Sequence, residues 1–245
     1  MKSKKLKIAL ISATLAIALL IGAMAIYLSD FYRADESAIS AFAPMSDVNC
    51  ETAKSGDIVF APDNASAGVI FYPGGKVDEN AYKPLGAALA SKGILCIIVK
   101  MPFNLAVFDV NAADGIRDSY PDVEHWYIAG HSLGGSMAAS YLEKNSADYD
   151  GLILLGSYST ADLSSSELSV LSIYGSEDKV MNRDKYAANK SNLPTDLVEF
   201  IIDGGNHAYF GMYGEQKNDG TATLTNAEQI NITADKIAEM ILSAE

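Results

Sequence analysis

Between His125 and Ala139 the chain passes from a covered strand into a helix through a turn that few sequences can make. Trp126 to Ala129 is a short apolar run that reads as a buried strand. From Leu133 to about Glu143, apolar and small residues recur at helical spacing. Gly130-x-Ser132-x-Gly134 lies between them, the pattern of a nucleophile elbow. Its physics is steric. A serine at so tight a turn is held in strained backbone geometry with its hydroxyl pushed out above the sheet edge, and side chains two residues to either side would collide as strand and helix close up. The helix starts at the serine, so its unbonded N–H groups and positive dipole end face any oxyanion formed there. The competing reading is a glycine-rich connection whose serine caps the helix.

At the start of the chain, Lys2, Lys4, Lys5 and Lys7 precede Ile8–Leu28, 21 residues without a charge. At 1.5 Å per residue this run is roughly 30 Å long, the thickness of a bilayer core. The lysines hold the N-terminus in the cytoplasm and send everything after Leu28 outside the cell membrane. A cleaved signal peptide is the alternative, with Ala23-Met24-Ala25 as the small-x-small site and a secreted domain as the result. Ile26, Tyr27 and Leu28 continue the apolar run past that site and favour an uncleaved single-pass anchor. Residues 1–28 therefore read as lysine cluster plus anchor, 29–47 as a tether, and 48–245 as one domain with room for a substantial core.

Setting aside the four leading lysines leaves 14 basic against 31 acidic side chains. A surface that acidic argues against nucleic acid and anionic lipid as partners. With three histidines and no Cys-x-x-Cys, no metal site is expected. Cys50 and Cys96 would allow one disulfide in an exported protein, but Cys96 lies in the apolar run Ile94–Val99, where a free buried thiol is the commoner outcome. Strands are expected near 57–61, 68–72, 94–99, 126–130, 150–155, 168–174 and 197–202. Helices are expected near 79–91, 109–118, 133–143, 182–190 and 226–243. Short apolar strands separated by helices imply an α/β fold, a mostly parallel sheet covered on both faces.

A serine hydroxyl needs a base, and the base needs an orienting carboxylate. For an elbow on such a sheet the chain order is serine, acid, histidine. His207, in the loop Asp203-Gly204-Gly205-Asn206-His207 after the last strand, is the one histidine downstream of Ser132. His125 and His131 read as structural. Asp178 follows the strand Ser169–Tyr174 through Gly175-Ser176-Glu177 and is the chosen acid, with Asp162 the second candidate. Leu133 supplies one oxyanion N–H. The second comes from Pro73-Gly74-Gly75-Lys76-Val77, with Gly75 as the first choice and Lys76 as the alternative.

With these segments in order, the chain from about residue 55 onward resembles an α/β-hydrolase. More narrowly, Phe71-Tyr72-Pro73-Gly74-Gly75-Lys76-Val77, Lys100-Met101-Pro102-Phe103-Asn104-Leu105-Ala106, Gly130-His131-Ser132-Leu133-Gly134-Gly135 and Gly204-Gly205-Asn206-His207-Ala208 resemble a bacterial group of membrane-anchored or exported hydrolases labelled dienelactone-hydrolase-like. The resemblance implies Ser132, Asp178 and His207 as triad, Leu133 with Gly75 as oxyanion hole, and no cofactor. Dienelactone hydrolases proper use a cysteine nucleophile, so the serine here separates the chain from a lactone substrate.

The expected activity is an exported serine hydrolase of small ester or acyl compounds. A catalytically silent binding ectodomain and an acyltransferase are the alternatives. Lys76, Met101, Phe103 and Tyr209 are candidate pocket residues, with Leu105 and Phe210 as further apolar wall. Gly156–Leu168, roughly a dozen residues rich in Ser and Asp, is too short for a helical lid. That predicts an open site, short-chain soluble substrates and no jump in rate at a micelle surface.

Overall fold

A computed structural model of the chain describes residues 2–46 and 48–243. It divides into two units, Met1–Phe31 and Tyr32–Glu245. The first is helix α1 (Lys2–Ser29), whose Leu10–Ser29 segment is long and apolar enough to cross a membrane and exposes Leu19, Leu20 and Ile26. The length matches a bilayer core, as the uncharged run predicts.

The second unit is built on eight strands: β1 (Cys50–Thr52), β2 (Ile58–Phe60), β3 (Ala67–Tyr72), β4 (Leu95–Ile98), β5 (His125–His131), β6 (Gly151–Leu155), β7 (Ser169–Gly175) and β8 (Val198–Ile202). They lie in the order β1-β2-β4-β3-β5-β6-β7-β8. The β1–β2 and β2–β4 pairs are antiparallel, and every other pair is parallel. Side chains along a strand alternate between two cores. Val69, Phe71, Tyr127 and Ala129 face one, beneath α3 (Lys83–Ala90) and α6 (Asn226–Leu242); the short α5 (Arg183–Asn189) lies between β7 and β8 in the chain. Ile70, Tyr72, Trp126 and Ile128 face the other, beneath α4 (Leu133–Asn145). A sheet buried on both faces is what near-continuous apolar strands require.

The parallel strands end in step. Tyr72 pairs with Gly130, His131 with Leu155, Leu155 with Ile173, and Gly175 with Ile202. The segments that follow β3, β5, β6, β7 and β8 therefore leave the same edge of the sheet.

Three expectations are corrected. Residues 109–118 form no α-helix, only turns that lead into a 3-10 helix at Arg117–Ser119. Asn and Asp at 109, 111 and 114 favour turns, Gly115 sits at φ 72°, and the hydroxyl of Tyr72 takes the Ala113 N–H and donates to the Val110 carbonyl. The segment expected to be a tether belongs to the domain: α2 (Glu36–Ala41) is capped by Asp35, and Ile39 and Phe42 are buried in the α3/α6 core. Asp47 lies outside the described residues. The edge strand β1 was not expected, because its three side chains are all exposed and carry no apolar alternation.

The cysteines are free. Cys50 and Cys96 both register with Phe60 from opposite sides, which sets them two strand spacings apart, about 9–10 Å and beyond disulfide reach. Burial pushes the Cys96 thiol up to about 12.

Candidate active site

Ser132 holds φ 52° and ψ −121°, left-handed backbone that a non-glycine residue adopts only under constraint. The constraint is the elbow. A Cβ at Gly130 would lie 2.6 Å from the carbonyl carbon of Gly134, and one at Gly134 would lie 2.2 Å from the Tyr72 carbonyl oxygen. The first clash is the strand–helix closure that the sequence implies, whereas the second is with the neighbouring strand end. Ser132 stands at the N-cap position of α4 but makes no capping bond with its side chain. The serine-as-cap reading therefore fails.

His207 and Asp178 are brought together. His207 Nδ1 and Asp178 Oδ2 are 2.8 Å apart, and both side chains are buried. The other carboxylate oxygen, Oδ1, accepts the Val180 and Met181 N–H groups at 2.9 and 2.8 Å. With Asp178 ionised, Nδ1 carries the proton and donates it, so the lone pair of His207 is on Nε2. That Nε2 is buried without a hydrogen-bond partner. Asp162, the second acid candidate, is not part of this pair. It is exposed and accepts from the hydroxyl and N–H of Ser164, the hydroxyl first, which holds its carboxyl below the usual range. Glu177 makes no contact with His207, and its N–H is donated to the Gly205 carbonyl.

In the loop after β3, Gly74 N–H donates to the Tyr82 hydroxyl, Lys76 N–H to the Asn104 carbonyl at 2.7 Å, and Val77 N–H to the Gly74 carbonyl. Among the described residues, Gly75 carries the one N–H between 74 and 78 that is left without a partner, which separates it from the alternative, Lys76. A Cβ on Gly75 would lie 2.8 Å from Leu133 Cδ2, so Gly75 and Leu133 abut. Of the candidate pocket residues, Met101 is buried in the α4 core, Tyr209 is half-buried, and Phe103 is 60% exposed at the rim. Leu105 is buried near Gly75, and Phe210 packs on His131.

Sequence reading missed several supports. Gly156, at φ 51°, runs so close beneath the pair that a Cβ there would lie 2.9 Å from His207 Nδ1. Ser157 donates to the Ser132 carbonyl at 2.6 Å. On α6, the buried Gln229 accepts the Asn206 N–H and donates back to the Asn206 carbonyl, fixing the residue before His207. Tyr82 links the two halves of the site. Its oxygen receives the Gly74 N–H, so its proton goes to His131 Nδ1 at 2.8 Å. His131 is buried. Its ring lies tilted against that of His207, centroids 4.5 Å apart, and burial first, then the neighbouring His207, hold it well below 6.5. Only the fold reveals these partners, because Tyr82 and Gln229 lie far along the chain from what they hold. Among the described residues no cluster could hold a metal ion.

A family model described as "Alpha/beta hydrolase family" matches residues 68–231. No curated protein matches the chain significantly. Two of the solved structures similar to it illustrate the likeness. One, described as a "predicted CIB-like hydrolase" from Thermoplasma acidophilum, is 16% identical, with a TM-score of 0.55 over 78% of this chain and 98% of that one. The other, Est1E from Butyrivibrio proteoclasticus, is 12% identical, with a TM-score of 0.58 over 80% of this chain and 98% of that one. At such identities the likeness is one of fold, and it agrees with the strand order and with the span of the family match. The chain belongs to the alpha/beta hydrolase family.

Proposed function

We propose that this protein is a membrane-anchored serine hydrolase that cleaves an ester or related acyl compound, with its domain outside the cell membrane. Ser132 Oγ attacks the acyl carbon while His207 Nε2 takes its proton. The N–H groups of Leu133 and Gly75 receive the oxyanion, and Asp178 stabilises the imidazolium. Collapse breaks the bond to the leaving alkoxide, which receives the proton from His207. Water, deprotonated by the same nitrogen, then releases the acid and restores Ser132. The buried, unpartnered Nε2 of a histidine oriented by Asp178 is the observation that carries this reading. The strained Ser132 and the unpaired Gly75 N–H support it.

Labelling of the full chain by a fluorophosphonate tests it. Ser132→Ala should abolish labelling and lower turnover by a factor on the order of 10⁴–10⁶. His207→Ala should cost nearly as much, and the double variant should be little worse, because the groups act as a unit. Asp178→Asn should be crippled while Asp162→Asn and Glu177→Gln stay active. Labelling that survives Ser132→Ala would move the nucleophile elsewhere, and no labelling of the unaltered chain would leave a binding ectodomain as the better reading.

A further inference from the structure

Two features of the rim meet at one residue of the oxyanion loop. Tyr32 N–H donates to the Lys76 carbonyl at 2.8 Å, and Asp78 N–H donates to the Tyr32 carbonyl at 2.9 Å, so Tyr32 and Val77 form a parallel bridge. Tyr32 stands three residues beyond Ser29, the end of α1. Three residues span at most about 11 Å. A chain that leaves the bilayer core at Ser29 therefore reaches Tyr32 within about 11 Å, a few ångströms more than the roughly 5–8 Å of one headgroup layer.

The second feature is apolar. Phe103, Val107 and Phe108 are 60%, 47% and 54% exposed. They lie on the segment after β4, which is held to the same loop by the bond from Lys76 N–H to the Asn104 carbonyl. Among the described residues from Tyr32 onward, the other large apolar side chains exposed to this degree are Val198, Ile201 and Leu242, elsewhere in the fold. The two phenylalanine rings meet edge to face at 5.8 Å, and Phe103 and Asn104 sit at φ 55° and 56°. Left-handed backbone at two successive non-glycine residues holds this turn in a costly conformation. Lys76 therefore joins Tyr32 to the apolar turn, one through its carbonyl and the other through its N–H.

We propose that the Phe103–Phe108 turn docks on the outer face of the bilayer that holds α1, and that the substrate is an acyl compound carried in that bilayer. The inference rests on the serine hydrolase reading and on an uncleaved α1. The occupant is lipid because the connection is too short to lift this rim far from the headgroups, and aromatic side chains favour that interface. The acidic domain makes uncharged headgroups the better match. A rim already seated on lipid needs no lid, so the short 156–168 connection fits lipid-held substrates as well as soluble ones. The proposal departs here from the expectation of soluble short-chain substrates, and the ester comparison below decides between them.

The test uses the full chain in phosphatidylcholine vesicles, with bromine on the acyl tails or without. Phe108→Trp adds a reporter to a protein whose one native tryptophan, Trp126, is buried. The added emission should be blue-shifted and quenched several-fold by the brominated lipid. Equal emission in both vesicles, with the protein shown to float with them, overturns docking. This readout involves no turnover, so it stands or falls apart from the role of Ser132. Turnover supplies the second arm, with Val107→Ser combined with Phe108→Ser. A long-chain ester held in vesicles should be cleaved about tenfold more slowly, a short water-soluble ester at the unchanged rate. Equal losses on both esters, or none on either, overturn the proposal; the first result would make the turn an acyl-chain subsite.

Discussion

Ser132 keeps a backbone conformation that costs on the order of 1–3 kcal/mol, which the packing of Gly130 and Gly134 imposes. Ser132→Gly should therefore raise the melting temperature while abolishing fluorophosphonate labelling, a separation of stability from activity that calorimetry with labelling would check. Tyr82 acts through others. Tyr82→Phe frees the Gly74 N–H and the His131 ring together, so kcat should fall about tenfold with KM nearly unchanged. A variant that merely loosens the core would instead lower thermal stability and leave kcat alone. His131 predicts a pH dependence. Its folded value is depressed below 6.5 by burial, so the unfolded chain binds the extra proton first as pH falls. Its contribution is complete above about pH 7 and is lost as pH drops through 6.5, at up to about 1.4 kcal/mol per pH unit. Melting curves from pH 7.5 to 5 should steepen for the native chain and flatten for His131→Gln.

At the scale of elements, α6 works as a strut for the loop of His207, since Gln229 holds Asn206 from its first turn. Thr225 and Glu228 close a capping box at its start. Thr225→Ala should cost about 1 kcal/mol in denaturant unfolding without changing labelling of Ser132. Seven of the strands were legible because short apolar runs bounded by Gly, Asp and Pro have few other uses. The elbow was legible because steric exclusion leaves glycine as the only residue at two fixed offsets. Asp178 could be selected by its position after β7, but the hydrogen bonds that exclude Asp162 are visible only in three dimensions. The 109–118 helix failed for a physical reason. Its apolar spacing competes with turn-forming Asn and Asp, and a tyrosine hydroxyl from β3 satisfies the backbone instead. Tyr82, Gly156 and Gln229 left no local signal, since each acts on a segment far away in sequence.

For the whole molecule, the proposed topology puts the domain outside the cell membrane, and that is testable. Protease added to intact cells should remove it and leave a fragment of α1 in the membrane fraction; a mature N-terminus at Ile26 in the medium would replace the anchor by a signal peptide. The residues between α1 and β1 have a practical consequence for anyone making the domain without its helix. A version beginning at Val48 discards Ile39 and Phe42, two buried side chains worth about 1.5–3 kcal/mol each, from a fold whose total margin is about 5–15 kcal/mol. It also removes the Tyr32 bridge that steadies the loop of Gly75. Such a version should be poorly soluble and slow to react with fluorophosphonate, whereas one beginning at Asp30 should be soluble and fully reactive. The shortest workable version of the domain therefore starts at about Asp30, well ahead of the first strand.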